Sequence, residues 1–443
     1  MNTDLTSGSS KIALVTFTLP ILASTIIQKL YQIADSVIVG KFAGEKALAA
    51  VGASYPITLI FMSIAFGSQL GCSVVISRFF GARDFCSVKN HILTTLIAGS
   101  ALAVPLTLFG VLGSPLLMSL INTPHDIFPD GDLYLKIYTG GFVFLYLYNL
   151  ATGIFNSLGD SRTPLVLLVS SSVCNVVLDI FFVINLKMTV AGVAWATFIA
   201  QGAACIAALL ILSSRIRRLP ITKPTKAFSF AALSRIAKIS LPSIFQQSFV
   251  SAGNMFIQSI VNTYGYSVIA GYSAAIKLNS FVTASGLALG SGMSSFTAQN
   301  IGAKRVQRAS QGFRFGLLLA LPLAAAFFCA YYFFGDVFLS FFMNDAASLT
   351  AKTAGETFLR TVSPFYGFVC IKLVCDGFLR GCERMKYFMA STFTDLCLRV
   401  LLAFVLSPLF RETGIWFAWP ISWIISTCMS YLFCIKTKKR NAA

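Results

Sequence analysis

LVTFTLPILASTIIQKLYQIADSVIV, residues 14–39, is the stretch on which the fold turns. A helix needs roughly 20 apolar residues to cross a bilayer, and this run is long enough. It also carries what a plain anchor would avoid: Pro20, Gln28, Lys29 and Asp35. It lacks a small-residue cleavage site, so it reads as a retained span and not a signal peptide. Leu19-Pro20 near its start returns as Leu241-Pro242, which opens a second long run, LPSIFQQSFVSAGNMFIQSIVNT, residues 241–263.

Working outward from these two runs, twelve spans are predicted, at 14–39, 48–76, 91–113, 134–158, 164–184, 189–212, 241–263, 267–295, 313–334, 358–379, 388–408 and 415–435. Lipid offers no partner to an unpaired backbone group, so single long runs of this kind must be helical. Further echoes tie the two halves together. Leu48-Ala49-Ala50-Val51-Gly52 matches Ile269-Ala270-Gly271-Tyr272-Ser273, Gly81-Ala82-Arg83 matches Gly302-Ala303-Lys304, and Gly192-Val193 matches Gly414-Ile415, all at spacings of 221 or 222. The expectation is an all-α integral membrane protein with twelve transmembrane helices in two pseudo-symmetric six-helix bundles. The lobes are expected at 1–212 and 241–443, with a basic cytoplasmic linker at 213–240 between them. Six spans per half give both halves the same topology, with a substrate site expected at the repeat interface.

Composition agrees. Of 443 residues, 56% are hydrophobic and 11% charged, against about 25% charged in a soluble protein. The net charge of +18 would suggest a nucleic-acid partner in a soluble chain, but here the bases sit in short connections between spans. Arg78, Arg83, Lys89, Arg162, Lys304, Arg305, Arg308, Arg314, Arg380, Arg384 and Lys386 lie on one set of connections. Arg215, Arg217, Arg218, Lys223, Lys226, Arg235 and Lys238 lie in the 213–240 segment. The opposite set holds the acids Asp126, Asp130, Asp132, Asp336, Asp345 and Glu356. By the positive-inside rule this places both termini in the cytoplasm and the protein in the cytoplasmic membrane. No nucleic-acid motif accompanies the charge. The eleven cysteines are scattered, without C-x-x-C, and the two histidines, His91 and His125, stand apart. No zinc or iron–sulfur site and no intramembrane His–Asp enzyme is expected. There is no phosphate-binding G-x-x-x-x-G-K-[ST] loop, so transport energy is expected from an ion gradient and no cofactor is called for.

Charges inside spans cost at least ~3 kcal/mol each on insertion scales and need a reason. Asp35 closes the first span. Asn175 and Asp179 are four apart on the fifth, which places an amide and a carboxylate on one helix face, and Thr197 on the sixth offers a hydroxyl. Oxygen ligands of this kind suit a hard cation, sodium for example, or a shared proton. The competing reading is a polar clamp between helices. Lys372–Asp376 and Asp395–Arg399 read as neutralised i,i+4 pairs. Pro20 is a candidate bending point for the first helix. Lys277, Gln246 and Asn254 are candidates for a cavity in the second half.

These stretches resemble the multidrug and toxic compound extrusion family. The resemblance rests on Pro20 with Asp35 through Val39-Gly40, Ala47 through Gly52, Gly81-Ala82-Arg83, Gln299 through Ala303, and Gly377-Phe378-Leu379-Arg380-Gly381. It runs through nearly the whole chain. It implies two six-helix bundles that alternate between outward and inward states and export organic, often cationic and amphipathic compounds against protons or sodium. In the subgroup similar to DNA-damage-inducible prokaryotic members, a first-helix aspartate, an asparagine, a second aspartate one turn later and a threonine hold the coupling ion. Asp35, Asn175, Asp179 and Thr197 match them. The subgroup similar to norfloxacin exporters also uses acids in the seventh and tenth helices. Here the seventh span offers Gln246, Gln247, Asn254 and Gln258, and Asp376 lies too close to Arg380-Gly381 to match. Coupling through the first lobe, in a monomer, is the expectation, with a lipid-linked precursor flippase of the same superfamily as the alternative.

Overall fold

The computed structural model describes residues 4–221, 224–343 and 348–442. Lys223 and Asp345, counted above among the charges of the connections, lie outside them. Among the described residues the chain is helical without a strand, and its long helices make twelve rods. They are α1 Ser10–Ile38, α2 Glu45–Gly81, α3 Phe85–Leu112, α5 Arg162–Ile180, α6 Val190–Arg217, α7 Phe230–Asn262, α8 Tyr266–Gly302 and α9 Val306–Phe333. Two more are interrupted. α4 is Phe128–Gly140 and Phe142–Ser157, bent by 44°, and α10 is Leu349–Val362 and Tyr366–Gly381 joined by the 3-10 turn Ser363–Phe365. The last two, α11 (385–410) and α12 (412–442), share one continuous run that breaks at Arg411, whose φ is 54°.

Seven of these rods, and the joined run of α11 and α12 as an eighth, are long and apolar enough to cross a membrane, or nine when bent α4 counts as one. The difference from twelve has local causes. α11 and α12 count together in that tally. α7 is diluted by its glutamines and Asn254, and α8 by its many small and hydroxyl residues.

The repeat seen in the sequence is written into the backbone. Gly44 before α2 and Gly265 before α8 adopt the same conformation, φ 91° with ψ 172° and φ 89° with ψ 167°. Only glycine enters that region without strain. Arg83 after α2 and Lys304 after α8 are left-handed at φ 58° and 59°. Further on the offset is not 221 or 222, as the sequence echoes suggested, but 224. Gly159 and Glu383 are the left-handed residues after α4 and α10, and Lys187 and Arg411 those after α5 and α11. The i,i+4 ion pair Asp132–Lys136 on α4 recurs as Glu356–Arg360 on α10 at the same spacing. Gly153 of α4 closes against the Gln69 carbonyl of α2, and Gly377 of α10 against the Gly290 carbonyl of α8. At α6 and α12 the spacing returns to 222: Gly192 packs against Phe182 and Gly414 against Leu406.

One shift has a visible structural cause. From Pro20 to Gly44 the first half is one residue longer than the second is from Pro242 to Gly265. The first half ends α1 in a π-helical turn, Val39–Ala43, whereas α7 stays α-helical to Asn262. A π turn, with its i→i+5 hydrogen bonds, is how a helix absorbs one extra residue.

The chain forms two compact units. One comprises residues 23–248, the other Asp4–Leu22 with everything from Phe249 onward. Each of the two opening helices is therefore divided, α1 two residues beyond Pro20 and α7 six beyond Pro242. Within the second unit the segment before α1 is held by side chains of α8 and α9. Leu5 is fully buried, and its carbonyl accepts from Asn300 Nδ2 (3.1 Å) and Arg308 Nε (3.2 Å). Arg308 also donates to the carbonyls of Ser7 and Gly8, and Arg305 to that of Thr6.

Candidate functional site

Four of the sequence candidates meet in the first unit. α1 delivers Asp35, α5 delivers Asn175 and Asp179, and α6 delivers Thr197. The carboxyl groups of Asp35 and Asp179 are within hydrogen-bonding reach of each other. Asp179, Asn175 and Thr197 are 0%, 2% and 8% exposed. The Asn175 amide is best satisfied with its nitrogen donating to Asp179 Oδ2 (2.9 Å) and the Tyr31 hydroxyl (3.2 Å). Its oxygen then accepts from the Thr197 backbone N–H (3.1 Å). The Thr197 hydroxyl lies 3.3 Å from the same end of the amide.

Sequence reasoning missed the tyrosines. Tyr31 hydrogen-bonds Thr197 and lies beside both acids, and Tyr134 stands close to Asp35, Asp179 and Tyr31. The Tyr134 and Tyr138 rings stack at 5.9 Å. The signal was present: Tyr31 precedes Asp35 by four residues, one helical turn on the same face, and Tyr134 and Tyr138 repeat that spacing.

Local backbone holds this arrangement. Each acid precedes a π-helical turn, Val39–Ala43 after Asp35 and Phe181–Asn185 after Asp179. The residues around those turns, Val39, Val183, Ala47, Ala50, Val190, Val193 and Ala194, form a dry cluster with Tyr134. Its burial fixes the ends of α1, α5 and α6 against α2.

The electrostatics are unbalanced. Oδ1 of Asp35 and Oδ1 of Asp179 are buried with no hydrogen-bond donor among the described residues, and neither carboxylate has an ion-pair partner there. Two neighbouring carboxylates, one buried and one half-buried, are costly to keep charged together without a positive charge between them. A proton or a small hard cation between them would supply it. The residues present fit such a group: carboxylate, amide and hydroxyl oxygens, with no thiol or imidazole.

The remaining candidates sit elsewhere. Pro20 lies inside α1, which runs unbroken through it. Gln246 is buried in the first unit, with Oε1 lacking a donor. Asn254 and Lys277 are exposed residues of the second unit, and the Lys277 ammonium stands 5.6 Å from the Phe342 ring centre. Lys372 pairs with Asp376 (2.7 Å) and Arg399 with Asp395 (2.8 Å), as their spacing suggested.

Comparison with known proteins agrees with this fold. The family model described as MatE matches residues 20–181 and 242–405, which fall one in each half. The chain is 27% identical to the probable multidrug resistance protein YpnP of Bacillus subtilis, over 97% of this chain and 96% of that protein. It is 25% identical to an FAD transporter of Shewanella oneidensis, over 89% and 87%. Among solved structures, a MOP superfamily transporter of Pyrococcus furiosus superposes with a TM-score of 0.93 at 21% identity, covering 100% of this chain and 99% of that one. An outward-facing multidrug resistance MATE transporter gives 0.93 at 21% identity, over 100% and 98%. With both halves of the repeat matched by one family model, the chain belongs to the MatE family of ion-coupled antiporters.

Proposed function

We propose that this antiporter exports organic compounds, often cationic and amphipathic, across the cytoplasmic membrane in exchange for protons or sodium ions. Asp35 and Asp179 carry the coupling ion, with Asn175 and Thr197 as neutral ligands. The observation that carries this reading is the buried Asp179 carboxylate brought together with the half-buried Asp35 carboxylate without a positive partner. Ion entry cancels their repulsion and draws the ends of α1 and α5 together. Ion loss reverses it, and α1 transmits the change toward Pro20, where one backbone hydrogen bond is missing. The basic connections and the even number of rods support both termini in the cytoplasm, and the protein acts as a monomer.

The flippase reading is not favoured. It needs free bases to hold a pyrophosphate, and Lys372 is committed to Asp376.

Proteoliposomes given an imposed pH or sodium gradient test the proposal. A dye cation and a flavin nucleotide serve as substrates, since one relative is named for FAD transport. Wild-type protein is expected to move one of them against one gradient, and Asp35→Asn to lose that movement while inserting normally. Unchanged coupling in Asp35→Asn overturns the mechanism.

A further inference from the structure

The backbone repeat allows the ion site of the first unit to be located again in the second. Asp35 lies before the π turn, so it takes the offset of Leu19-Pro20, 222, and its counterpart is Ile257, fully buried. Residues of α5 take 224, as set by Gly159 with Glu383 and Lys187 with Arg411. Asn175 then corresponds to Arg399, and Asp179 to Ala403, fully buried. Thr197 takes the 222 of Gly192 with Gly414 and corresponds to Trp419. In the first unit the side chains at these α5 and α6 positions touch, Asn175 against Thr197. In the second they touch again, the Arg399 guanidinium lying 4.3 Å from the Trp419 ring centre. Tyr134, beside the acids, corresponds to Phe358, which packs edge-on to Trp419.

At these four positions the second unit carries one positive charge and no negative one. Both carboxylates are gone, and a guanidinium stands in the amide's place. Its negative partner is Asp395, one turn back, where the first half has Ser171. Arg399 Nη2 donates to both Asp395 oxygens at 2.8 Å, and Nε donates to Ser422 at 3.2 Å. Trp419 and a more distant Trp423 (5.9 Å) complete a cation–π seat. Arg399 is 6% exposed.

We propose that Arg399 is a tethered cation, the covalent substitute in the second unit for the diffusible ion of the first, and that it makes the second unit indifferent to the coupling ion. This rests on the reading of Asp35 and Asp179 as the ion site. A guanidinium is covalently held and does not lose its proton in proteins, so the second unit stays in the ion-loaded form throughout the cycle. Exchange is then driven by one site, not two.

The test is the melting temperature of the purified protein, read against sodium at constant ionic strength and against pH. The background is Asp35→Asn/Asp179→Asn, where the first unit contributes no ion response. The charged and titratable groups facing Asp395 are Arg399 on its own helix, Tyr272 on α8, which lies near Arg399, and the Lys372–Asp376 pair on α10. Asp376 also accepts from Ser391, one turn before Asp395. α12 presents tryptophans and Ser422.

In this background the melting temperature is expected to be flat against sodium. Adding Arg399→Gln leaves Asp395 without its cation, so the melting temperature should drop by several degrees in sodium-free buffer at neutral pH. Sodium or acid should restore it. Arg399→Lys and Asp395→Asn/Arg399→Gln should stay flat. A flat Arg399→Gln overturns the proposal. If Arg399→Gln is recovered folded only in sodium or acid, that dependence is the expected result. If it folds in no condition while the double variant folds, Asp395 requires the guanidinium itself and the proposal fails. A response already present in the parent background would count against the Asp35–Asp179 reading, and the increment added by Arg399→Gln would still be readable on top of it.

Discussion

At the scale of single residues, the site is a balance of oxygens around two acids. Tyr31 bridges α1 to Asn175 and Thr197 through its hydroxyl. Removing it as Tyr31→Phe deletes about 1 kcal/mol of net hydrogen bonding. Ion affinity should fall about fivefold, seen as a rise in the half-saturating sodium or proton concentration for efflux with maximal rate little changed. Asp179→Asn leaves a single acid that needs no shared charge. Its efflux should lose its dependence on the gradient, and substrate should equilibrate and not accumulate outside. Asn175 with Asp179 was legible as one helix face from i,i+4 spacing and Asp35 as an acid inside a span, because these are one-dimensional signals, whereas joining them with Thr197 into one site rested on the family resemblance. The convergence of α1, α5 and α6, and with it the tyrosine shell, was not. It depends on packing that no single helix encodes.

At the scale of elements, the π turn Val39–Ala43 is the departure that matters most. It is the one-residue excess of the first half, and it lies directly after Asp35. A deletion of Gly40 should return α1 to an α-helical end, the form α7 has in the second half, and remove the wide turn that follows Asp35 and helps seat it beside Asp179. The protein should still insert, since the span stays long enough, but gradient-driven efflux should fall more than about tenfold, the same order as losing the charge pair. Elsewhere the elements carry removable strain. Arg411 ends α11 in a left-handed conformation at φ 54°, which costs a non-glycine residue about 1 kcal/mol. Arg411→Gly should raise the melting temperature by a degree or two. Gly377→Ala should lower it clearly, because a Cβ there collides with the Gly290 carbonyl and overpacking costs roughly 1–3 kcal/mol. Pro242, Pro322, Pro408 and Pro420 lie within helices that continue past them. A rule that ends helices at proline would have cut the molecule wrongly, and hydrophobic run length was the better guide.

At the scale of the whole molecule, twelve rods and a half-and-half repeat were visible in the sequence. The compact units were not predicted where they fall. The sequence suggests a cut at the basic linker, residues 213–240, whereas compactness divides α1 after Leu22 and α7 after Ser248. Pattern reading sees helices as indivisible, but a long helix can pack one end in one place and the other elsewhere. The segment before α1 illustrates this, with Arg305, Arg308 and Asn300 reading four successive carbonyls around buried Leu5. Arg308→Ala should release it. Protease cleavage before Ser10 should become faster, with the melting temperature of the remainder reduced by a few degrees.

The matched glycines, ion pairs and left-handed corners mean that this chain contains its own homologue. The two halves share one backbone frame and differ in charge, acids standing in one where the other holds a buried base. Reading one copy against the other separates what folding requires from what work requires. Gly44 with Gly265 and Gly153 with Gly377 were kept alike in both. Asp35 against Ile257 and Asn175 against Arg399 were not, and it is at those mismatches that the work of the molecule is to be sought.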